Sequence, residues 1–355
     1  MITVDGSFGE GGGQILRTSL ALAAITGQSV TIENIRLKRP KPGLRPQHLT
    51  GALAVAEICG AQLEGAEVDS IRLTFRPGRI KPGNYEFDVS KARASAGSVN
   101  LVLQTILWPL AFADKDSRVT IRGGTHVPFA PTFDYVDDVF LPAVADMGLR
   151  CHYSMSQAGY YPAGGGEVKI EIPAAKKLTP ISITELERPC HIELTSAVSN
   201  LPTSIADRQL KTACARLRAM DLQFESRLAQ YPSPGPGTVV FISLTAASSF
   251  AEQQARGTAR AAFQSLGAIG KRAEKVAEEA CDELEAYLAS HMALDKHLAD
   301  QLIIPIALAD GLSRFTTCEI TQHTLTNIAV VEQFLPVRFE VSGSLGQPGM
   351  VERLF

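Results

Sequence analysis

Residues 29–37 read S-V-T-I-E-N-I-R-L and alternate apolar with polar side chains, which is the pattern of a half-buried β-strand. Residues 71–75 and 117–121 show the same alternation and are therefore predicted strands. Between these strands, apolar residues recur at helical spacing. The predicted helices are residues 14–25, 47–58 and 98–113. Because strands and helices interleave, the sequence predicts an α/β (α+β) fold in which helices cover mixed sheets.

The character of the sequence changes near residue 184. A strand, a helix, a turn rich in proline and glycine, and an apolar strand follow at residues 191–196, 205–220, 231–237 and 238–244. This compact set predicts a small α/β domain at residues 185–274. It is inserted in a main domain made of residues 1–184 and 275–355, to which a helix at 274–289 is expected to return.

Composition and charge narrow the classes of protein. No run of about 18 apolar residues is present, so a membrane span is not expected. The first residues lack a basic start followed by an apolar stretch, so no secretory signal is expected. The 34 basic and 37 acidic residues give a net charge of −3, so a polyanion site has to be a local patch.

The six cysteines are scattered along the chain, with no C-x-x-C pair. Zinc fingers and redox dithiols use closely spaced pairs, so neither is expected. Buried reduced thiols in a cytoplasmic protein are the simpler interpretation.

A glycine-rich stretch, G-E-G-G-G-Q-I-L-R at residues 9–17, precedes the first predicted helix. Glycines before a helix let backbone N–H groups approach an anion, and the helix N-terminus adds positive potential. The stretch lacks the Gly-Lys-Ser/Thr of a Walker A loop and the G-x-G-x-x-G spacing of a dinucleotide site. A tight turn alone would also use these glycines. Glu10, which suits a metal ion or a ribose hydroxyl, and Arg17, which suits a phosphate, shift the balance towards a binding site.

A basic segment follows at residues 36–45, R-L-K-R-P-K-P-G-L-R, with five basic residues and no acidic one. Its prolines and glycine disfavour a helix, so the charges are predicted to lie on a loop. Such a loop suits a nucleic-acid backbone or several phosphates, and a solvated basic surface would explain it equally well. Gln47 and His48 begin the next helix and are candidates to line the same groove.

Two polar segments in the last sixty residues are ordinary by composition alone. Residues 321–327 read T-Q-H-T-L-T-N, and a single histidine such as His323 is usually structural or at the surface. Residues 297–301 read H-L-A-D-Q and have the pattern of a polar helix start. No H-x-x-H spacing and no G-x-S-x-G elbow accompanies them, so neither a metal cluster nor a hydrolase is indicated.

Taken together, these segments resemble the RNA 3′-terminal phosphate cyclase family over nearly the whole chain. The matching segments, in order, are D-G-S-F-G-E-G-G-G-Q-I-L-R at residues 5–17, K-P-G-L-R-P-Q-H-L at 41–49, S-A-G-S-V-N-L-V-L-Q at 95–104, G-Y-Y-P-A-G-G-G at 159–166, H-L-A-D-Q at 297–301 and H-T-L-T-N-I-A-V-V-E at 323–332. So many motifs in one order make the resemblance specific. One departure is Ala158, where the family usually has a basic residue, and it concerns a peripheral contact.

The resemblance implies a fold of three repeated units, each a small sheet with two helices, similar to the C-terminal domain of translation initiation factor 3. The small α/β domain is then inserted in the third unit. The resemblance also implies an ATP-dependent reaction at RNA 3′-phosphate ends, with a covalent AMP–histidine as the first intermediate. The RNA phosphate takes the AMP, and the neighbouring 2′-OH displaces it to leave a 2′,3′-cyclic phosphate.

The resemblance assigns roles to individual residues. His323 matches the histidine that receives AMP. The ATP-binding positions are Gln104, His297, Leu298, Ala299, Asp300 and Gln301, with Phe263 as a candidate to pack on adenine. Glu10 is implied to hold the nucleotide or a divalent ion, Mg²⁺ or Mn²⁺. The positions for phosphates of RNA or ATP are Arg17, Arg36, Arg39 and Gln47.

Two other functions are compatible with such a fold. Cyclase-like proteins that lack the histidine act as RNA-binding or ribosome-assembly factors, whereas His323, Gln104 and Asp300 are all present here. An enolpyruvyl transferase would use similar repeats, bind phosphoenolpyruvate and need no nucleophilic histidine. RNA is the expected partner because DNA lacks the 2′-OH that cyclisation requires. A homodimer is left open.

Overall fold

The computed structural model of the protein describes residues 1–91, 95–186, 189–246 and 257–355. Within these ranges the strands form four mixed sheets of four strands each, and helices pack against them. The predicted α/β class is therefore confirmed. No helix in the described part of the chain is both long and apolar enough to cross a lipid bilayer.

The first sheet contains β1 (Ile2–Asp5), β2 (Val30–Glu33), β3 (Gln62–Glu64) and β4 (Leu73–Arg76), in the order β1-β2-β4-β3. Strand β1 is parallel to β2, whereas β4 is antiparallel to both β2 and β3. Helices α1 (Gly13–Thr26) and α2 (Pro46–Cys59) follow β1 and β2. The strand predicted at residues 29–37 ends at Glu33, because Asn34 and Arg36 have positive φ angles of 53° and 57° that a strand does not allow.

The second sheet contains β5 (Asn84–Asp88), β6 (Ser117–Gly123), β7 (His152–Gln157) and β8 (Gly166–Ile172), in the order β5-β6-β8-β7. Helix α3 (Val99–Ala111) precedes β6, and α4 (Phe133–Tyr135) continues through a π-helical turn (Val136–Phe140) into α5 (Leu141–Asp146). Strand β5 is parallel to β6, and β8 is antiparallel to β6 and β7. The strand order and directions therefore match those of the first sheet.

After β9 (Ser182–Ile183) the chain enters a smaller unit. Its elements are β10 (Pro189–Ser199), α6 (Thr203–Ala219), β11 (Glu225–Gln230), β12 (Gly237–Ala246), β13 (Arg260–Leu266) and α7 (Ala273–Ser290), with strand order β11-β10-β12-β13. Its apolar residues, among them the fully buried Leu217, Val240 and Tyr287, form a core separate from the main one. Helix α7 packs in this small core instead of returning to the main domain. We therefore propose that the small domain ends near residue 290 and not at 274.

The chain then returns to complete the third sheet. The elements are α8 (Lys296–Gln301), α9 (Ile303–Leu308), β14 (Ser313–Thr317), α10 (Gln322–Phe334), β15 (Phe339–Ser342) and β16 (Gly349–Arg353). The strand order is β15-β16-β14-β9, with β9 parallel to β14 and β16 antiparallel to β14 and β15. Counted from β9, this order and these directions are again those of the first sheet.

Helix α1 lies at the centre of the main core, because buried residues cover most of its surface. It packs against α2, α3 and α10. The side-chain amide of Gln14 donates to the backbone carbonyl of His323 at 2.9 Å. Four residues further along both helices, the hydroxyl of Thr18 donates to the side-chain carbonyl of Asn327 at 2.8 Å. Helices α1 and α10 are therefore parallel, and their N-termini meet.

Candidate active site

The loop before α1 contains a tight turn. The backbone N–H of Gly11 donates to the carbonyl of Phe8 at 2.8 Å, which closes a β-turn. Gly9 and Gly11 have φ angles of 55° and 59°, in the region that favours glycine. A Cβ on Gly9 would also overlap the hydroxyl of Thr326 on α10. Glycine at this position therefore lets the turn approach α10 closely, and Glu10 lies on that turn.

The side chain of Glu10 meets His323, the second residue of α10. Oε2 of Glu10 lies 2.7 Å from Nε2 of His323, and Oδ2 of Asp300 lies 3.6 Å from Nδ1. Thr321 caps α10, since its hydroxyl accepts a hydrogen bond from the backbone N–H of Thr324 at 3.1 Å. His323 is therefore held at a helix N-terminus between two carboxyl groups.

Burial and nearby charges set the protonation of these groups. Burial lowers the pKa of His323; Glu10 opposes this shift and Arg17 adds to it. Burial raises the pKa of Asp300 to about 7, although Arg17 acts in the other direction. Burial also lowers the pKa of Arg17 to about 10, a value at which the guanidinium is still charged at neutral pH. His323 is therefore mainly neutral at pH 7, as a nucleophilic imidazole has to be.

These groups line a cleft of about 680 Å³. Of the residues predicted from the sequence, Glu10, Arg17, Gln104, His297, Asp300, Gln301 and His323 contribute to its lining. The side-chain amide of Gln104 donates to that of Gln301 at 3.1 Å. Phe129 and Leu345 add exposed apolar surface. A cleft that combines a few charged groups with apolar walls is typical of a nucleotide-sized ligand site.

For three of the predicted ATP contacts, the burial of the side chain argues against its contact with ATP. Leu298 and Ala299 are both 0% exposed, and their side chains belong to the main core. Phe263 is 5% exposed and packs on Tyr287 in the small core, with ring centroids 5.2 Å apart. Its neighbour Ala262 lines the cleft instead, because side chains alternate between the two faces of a strand.

The basic segment at residues 36–45 lies beside the cleft. The guanidinium of Arg39 donates to Glu10 at 2.8 Å, and that of Arg36 donates to the carbonyl of Lys41 at 3.2 Å. The Nε atoms of Arg36 and Arg39 are buried and have no hydrogen-bond partner among the described residues. Burial lowers the pKa of Arg36, and Arg39 adds to the effect. Arg36 and Arg39 are partly exposed, so they place positive charge beside the cleft.

Gln47 and His48 connect this surface to the rest of the site. The side-chain carbonyl of Gln47 accepts from the backbone N–H of Ser98 at 3.0 Å, so it holds the start of α3. Nδ1 of His48 accepts from the backbone N–H of Arg45 at 3.1 Å. Burial holds the pKa of His48 well below its usual range, and the neighbouring arginines add to the effect. His48 is therefore neutral and cannot itself attract an anion by charge.

Sequence patterns alone did not single out Gln14, Thr18 and Asn327, which line the cleft and join α1 to α10. A usable signal was present, because polar residues four apart on a buried helix share one face. Asp295 was also missed. Its carboxylate caps α8 by accepting from the backbone N–H of His297 at 2.8 Å, and burial raises its pKa to about 6. The capped helix start fixes the position of His297 in the cleft.

The sequence was compared with known families and proteins. The family model described as RNA 3′-terminal phosphate cyclase matches residues 8–341. The chain therefore belongs to the RNA 3′-terminal phosphate cyclase family, and the resemblance seen in the sequence is confirmed.

Proteins named RNA 3′-terminal phosphate cyclase align with this chain over most of their length. One from Koribacter versatilis (strain Ellin345) is 44% identical over 342 residues, covering 96% of this chain and 92% of the relative. One from Trichormus variabilis is 41% identical, with 94% of each chain covered. One from Thermococcus onnurineus is 42% identical, with 99% and 98% covered. A solved structure, the enolpyruvyl transferase NikO from Streptomyces tendae, aligns with 99% of this chain and covers 65% of the NikO chain, at 14% identity. Its TM-score is 0.28, which is too low for any conclusion.

Proposed function

We propose that this protein converts the 3′-terminal phosphate of RNA into a 2′,3′-cyclic phosphodiester in an ATP-dependent reaction. The observation that carries the proposal is the position of His323, which lies in the cleft between Glu10 and Asp300 and close to Arg17. The names of the relatives support the same activity.

In the first step, a ring nitrogen of His323 attacks the α-phosphorus of ATP. The N–P bond forms, the bond to the bridging oxygen breaks, and pyrophosphate leaves. Asp300 faces Nδ1, so it is suited to hold a proton there and leave the lone pair on Nε2. Glu10 faces Nε2 at 2.7 Å, a distance at which the carboxylate accepts a proton carried by that nitrogen. Before the attack this contact therefore has to break, with the Nε2 proton lost and the single ring proton held on Nδ1.

In the second step, an oxygen of the RNA 3′-phosphate attacks the phosphorus of the histidine-bound AMP. The P–N bond breaks and its electron pair returns to the imidazole. In the third step, the 2′-hydroxyl oxygen attacks the 3′-phosphorus, loses its proton and expels AMP. Activation by AMP is needed because an unmodified phosphate oxygen is a poor leaving group.

The residues around His323 suggest where the two substrates bind. Arg17 lines the cleft and acts electrostatically on His323, so we assign it to the phosphates of ATP. Gln104, His297 and Gln301 line the same cleft and are assigned to the nucleoside. Arg36, Arg39 and Gln47 are assigned to RNA phosphates; the positive charge of the two partly exposed arginines supports this assignment.

A divalent ion, Mg²⁺ or Mn²⁺, is part of the proposal, because it would neutralise charge on the triphosphate. Glu10 lines the cleft with a carboxylate, the ligand type that these ions prefer. No group of three or more His, Cys, Asp or Glu residues that could hold a metal occurs in the described ranges. Glu10 is the residue that would hold the ion, which would supply positive charge beside the triphosphate.

We also propose that the three main sheets are copies of one β-α-β-α-β-β unit, with the small domain inserted between β9 and α8. Their common strand order and directions support this arrangement. For the location we propose the cytoplasm. Cys59, Cys151, Cys214, Cys281 and Cys318 are free thiols, which is typical of a reducing compartment.

Incubation with ATP labelled at the α-phosphorus and a divalent ion, without RNA, tests the proposal. The expected result is acid-labile label on the denatured protein that is absent from His323→Ala. His152→Ala is a matched control, because His152 is an exposed histidine on β7 and does not line the cleft. Absence of label with every metal would favour an RNA-binding scaffold. Label that persists in His323→Ala would place the nucleophile elsewhere.

A further inference from the structure

An exposed aromatic side chain lies on the same turn as Glu10. Phe8 is 49% exposed, although phenylalanine side chains are usually buried. Its carbonyl accepts from the backbone N–H of Gly11 at 2.8 Å, and its own N–H donates to the carbonyl of Asp5 at 3.1 Å. The backbone at Phe8 is therefore fixed on both sides while half of the ring remains open to solvent.

The turn lies between the helix of the nucleophile and the basic segment. On one side, Gly9 approaches the hydroxyl of Thr326 on α10. On the other side, Gly11 approaches the Cβ atom of Lys38, where an added Cβ would lie 3.5 Å away. The turn that carries Phe8 is thus held between the basic segment and the N-terminal part of α10.

We propose that Phe8 is the surface on which the base of the 3′-terminal RNA nucleotide stacks. This inference rests on the proposed function, in which the phosphate of that nucleotide reaches AMP on His323. The base of the same nucleotide then lies within about one nucleotide length of Glu10, which contacts His323 and is two residues from Phe8. An aromatic ring beside a cationic groove is the usual arrangement for binding single-stranded nucleic acid.

The base of ATP is a less suitable occupant. The cleft offers it exposed apolar surface from Phe129 and Leu345, and Phe8 is not part of the cleft lining. The basic segment beside the turn also fits RNA, since residues 36–45 carry five basic side chains and no acidic one. Stacking requires only the face of a base, so the surface is expected to accept all four terminal nucleotides.

The experiment measures binding of a short RNA with a 3′-phosphate and a 2′-deoxy terminal sugar, so that cyclisation cannot occur. Fluorescence anisotropy should show binding weakened roughly 5- to 100-fold in Phe8→Ala and retained in Phe8→Trp. Labelling by ATP alone should be unchanged in both. Phe355→Ala is a matched control, since Phe355 is 66% exposed and its carbonyl accepts from Arg338, beyond the C-terminal end of α10.

A second RNA, abasic only at its terminal nucleotide, tests directly whether Phe8 contacts the terminal base. Wild type should bind this RNA more weakly than the intact RNA, by the same factor that Phe8→Ala loses with the intact RNA. Phe8→Ala should bind the abasic and intact RNAs with equal affinity. Independent, additive losses would overturn the proposal, as would unchanged RNA binding or weakened ATP binding in Phe8→Ala. If His323 takes no label but RNA binding still depends on Phe8, the proposed function fails and the stacking surface stands, so the two failures are distinguishable.

Discussion

Oδ2 of Asp300 lies 3.6 Å from Nδ1 of His323, on the other side of the ring from the nitrogen that faces Glu10. The backbone carbonyl of Asp300 also accepts from the side-chain amide of Asn327 at 3.2 Å, which links α8 to α10 at this point. Burial raises the pKa of Asp300 to about 7 and lowers that of His323. Both shifts have one cause, because burial disfavours the charged form of each group.

Replacing Asp300 with asparagine should remove the carboxyl group that faces Nδ1 of His323 at 3.6 Å, and with it the negative charge suited to stabilise a proton there. We expect the rate of His323 labelling at saturating ATP to fall by about 10²- to 10⁴-fold, while the affinity for ATP changes little. Single-turnover labelling measures the rate. Asp310→Asn, at an exposed aspartate, is the matched control and should behave as wild type. A normal rate in Asp300→Asn would mean that this carboxylate does not orient the imidazole.

The raised pKa of Asp300 also predicts that the difference in stability between wild type and Asp300→Asn depends on pH. Its pKa rises from 3.8 to about 7 on folding, so between these values the unfolded chain has released a proton that the folded chain still holds. The contribution of Asp300 to stability should therefore fall as the pH rises through this window. Asp300→Asn should gain in melting temperature relative to wild type from about pH 5 to about pH 8. An equal difference at both pH values would contradict the raised pKa.

The pKa of His323 should respond in opposite directions to its two charged neighbours. Arg17→Gln should raise it because a cation is lost, and Glu10→Gln should lower it because an anion is lost. Adenylylation by wild type should accordingly persist below pH 6.5, the ordinary value for histidine. NMR titration of the labelled imidazole measures each pKa without turnover. Shifts of the same sign in both variants would refute the electrostatic account.

Arg36→Ala combined with Arg39→Ala should weaken binding of RNA ends and flatten its salt dependence. The slope of the logarithm of affinity against that of salt concentration should decrease by about 1 to 2, because two phosphate contacts are lost. Arg79→Ala with Arg118→Ala removes the same charge from exposed arginines elsewhere and serves as the control. Unchanged RNA binding in the first pair would exclude the basic segment from the site.

Phe263→Leu should lower the stability of the fold but leave the affinity for ATP unchanged. The ring packs on Tyr287 in the small core, so we expect a loss of roughly 1 kcal/mol in the free energy of unfolding. The dissociation constant for ATP should equal that of wild type, whereas His297→Ala, in the cleft lining, should raise it. Chemical unfolding and calorimetric titration measure the two quantities. Weaker ATP binding by Phe263→Leu would instead support a contact between Phe263 and adenine, which the packing argues against.

Local patterns predicted the elements well but not their ends. The helix expected at residues 14–25 is α1 (Gly13–Thr26), because periodic apolar spacing over more than three turns is a strong signal. The strand at 29–37 was predicted too long, since the alternation of side chains does not reveal the positive φ angle at Arg36. Boundaries depend on single backbone angles, which the apolar pattern does not specify.

Local sequence patterns predicted the site less well than they predicted the fold. His323 was ordinary by composition, and only the ordered family motifs assigned it a role. Its partners become its neighbours through packing against α10, Glu10 through that of α1 and Asp300 through that of α8. Phe263 was misplaced for a related reason, because which face of β13 points to the cleft depends on how the small sheet is placed.

The hydrogen bond between Gln14 and His323 joins residues 309 positions apart. A ribosome synthesises the glycine turn and Arg17 long before the nucleophile, so a growing chain carries one half of the site without the other. Such a chain has no means of consuming ATP until α10 has been made and has packed beside α1. Under the proposed mechanism, adenylylation therefore becomes possible only late in synthesis.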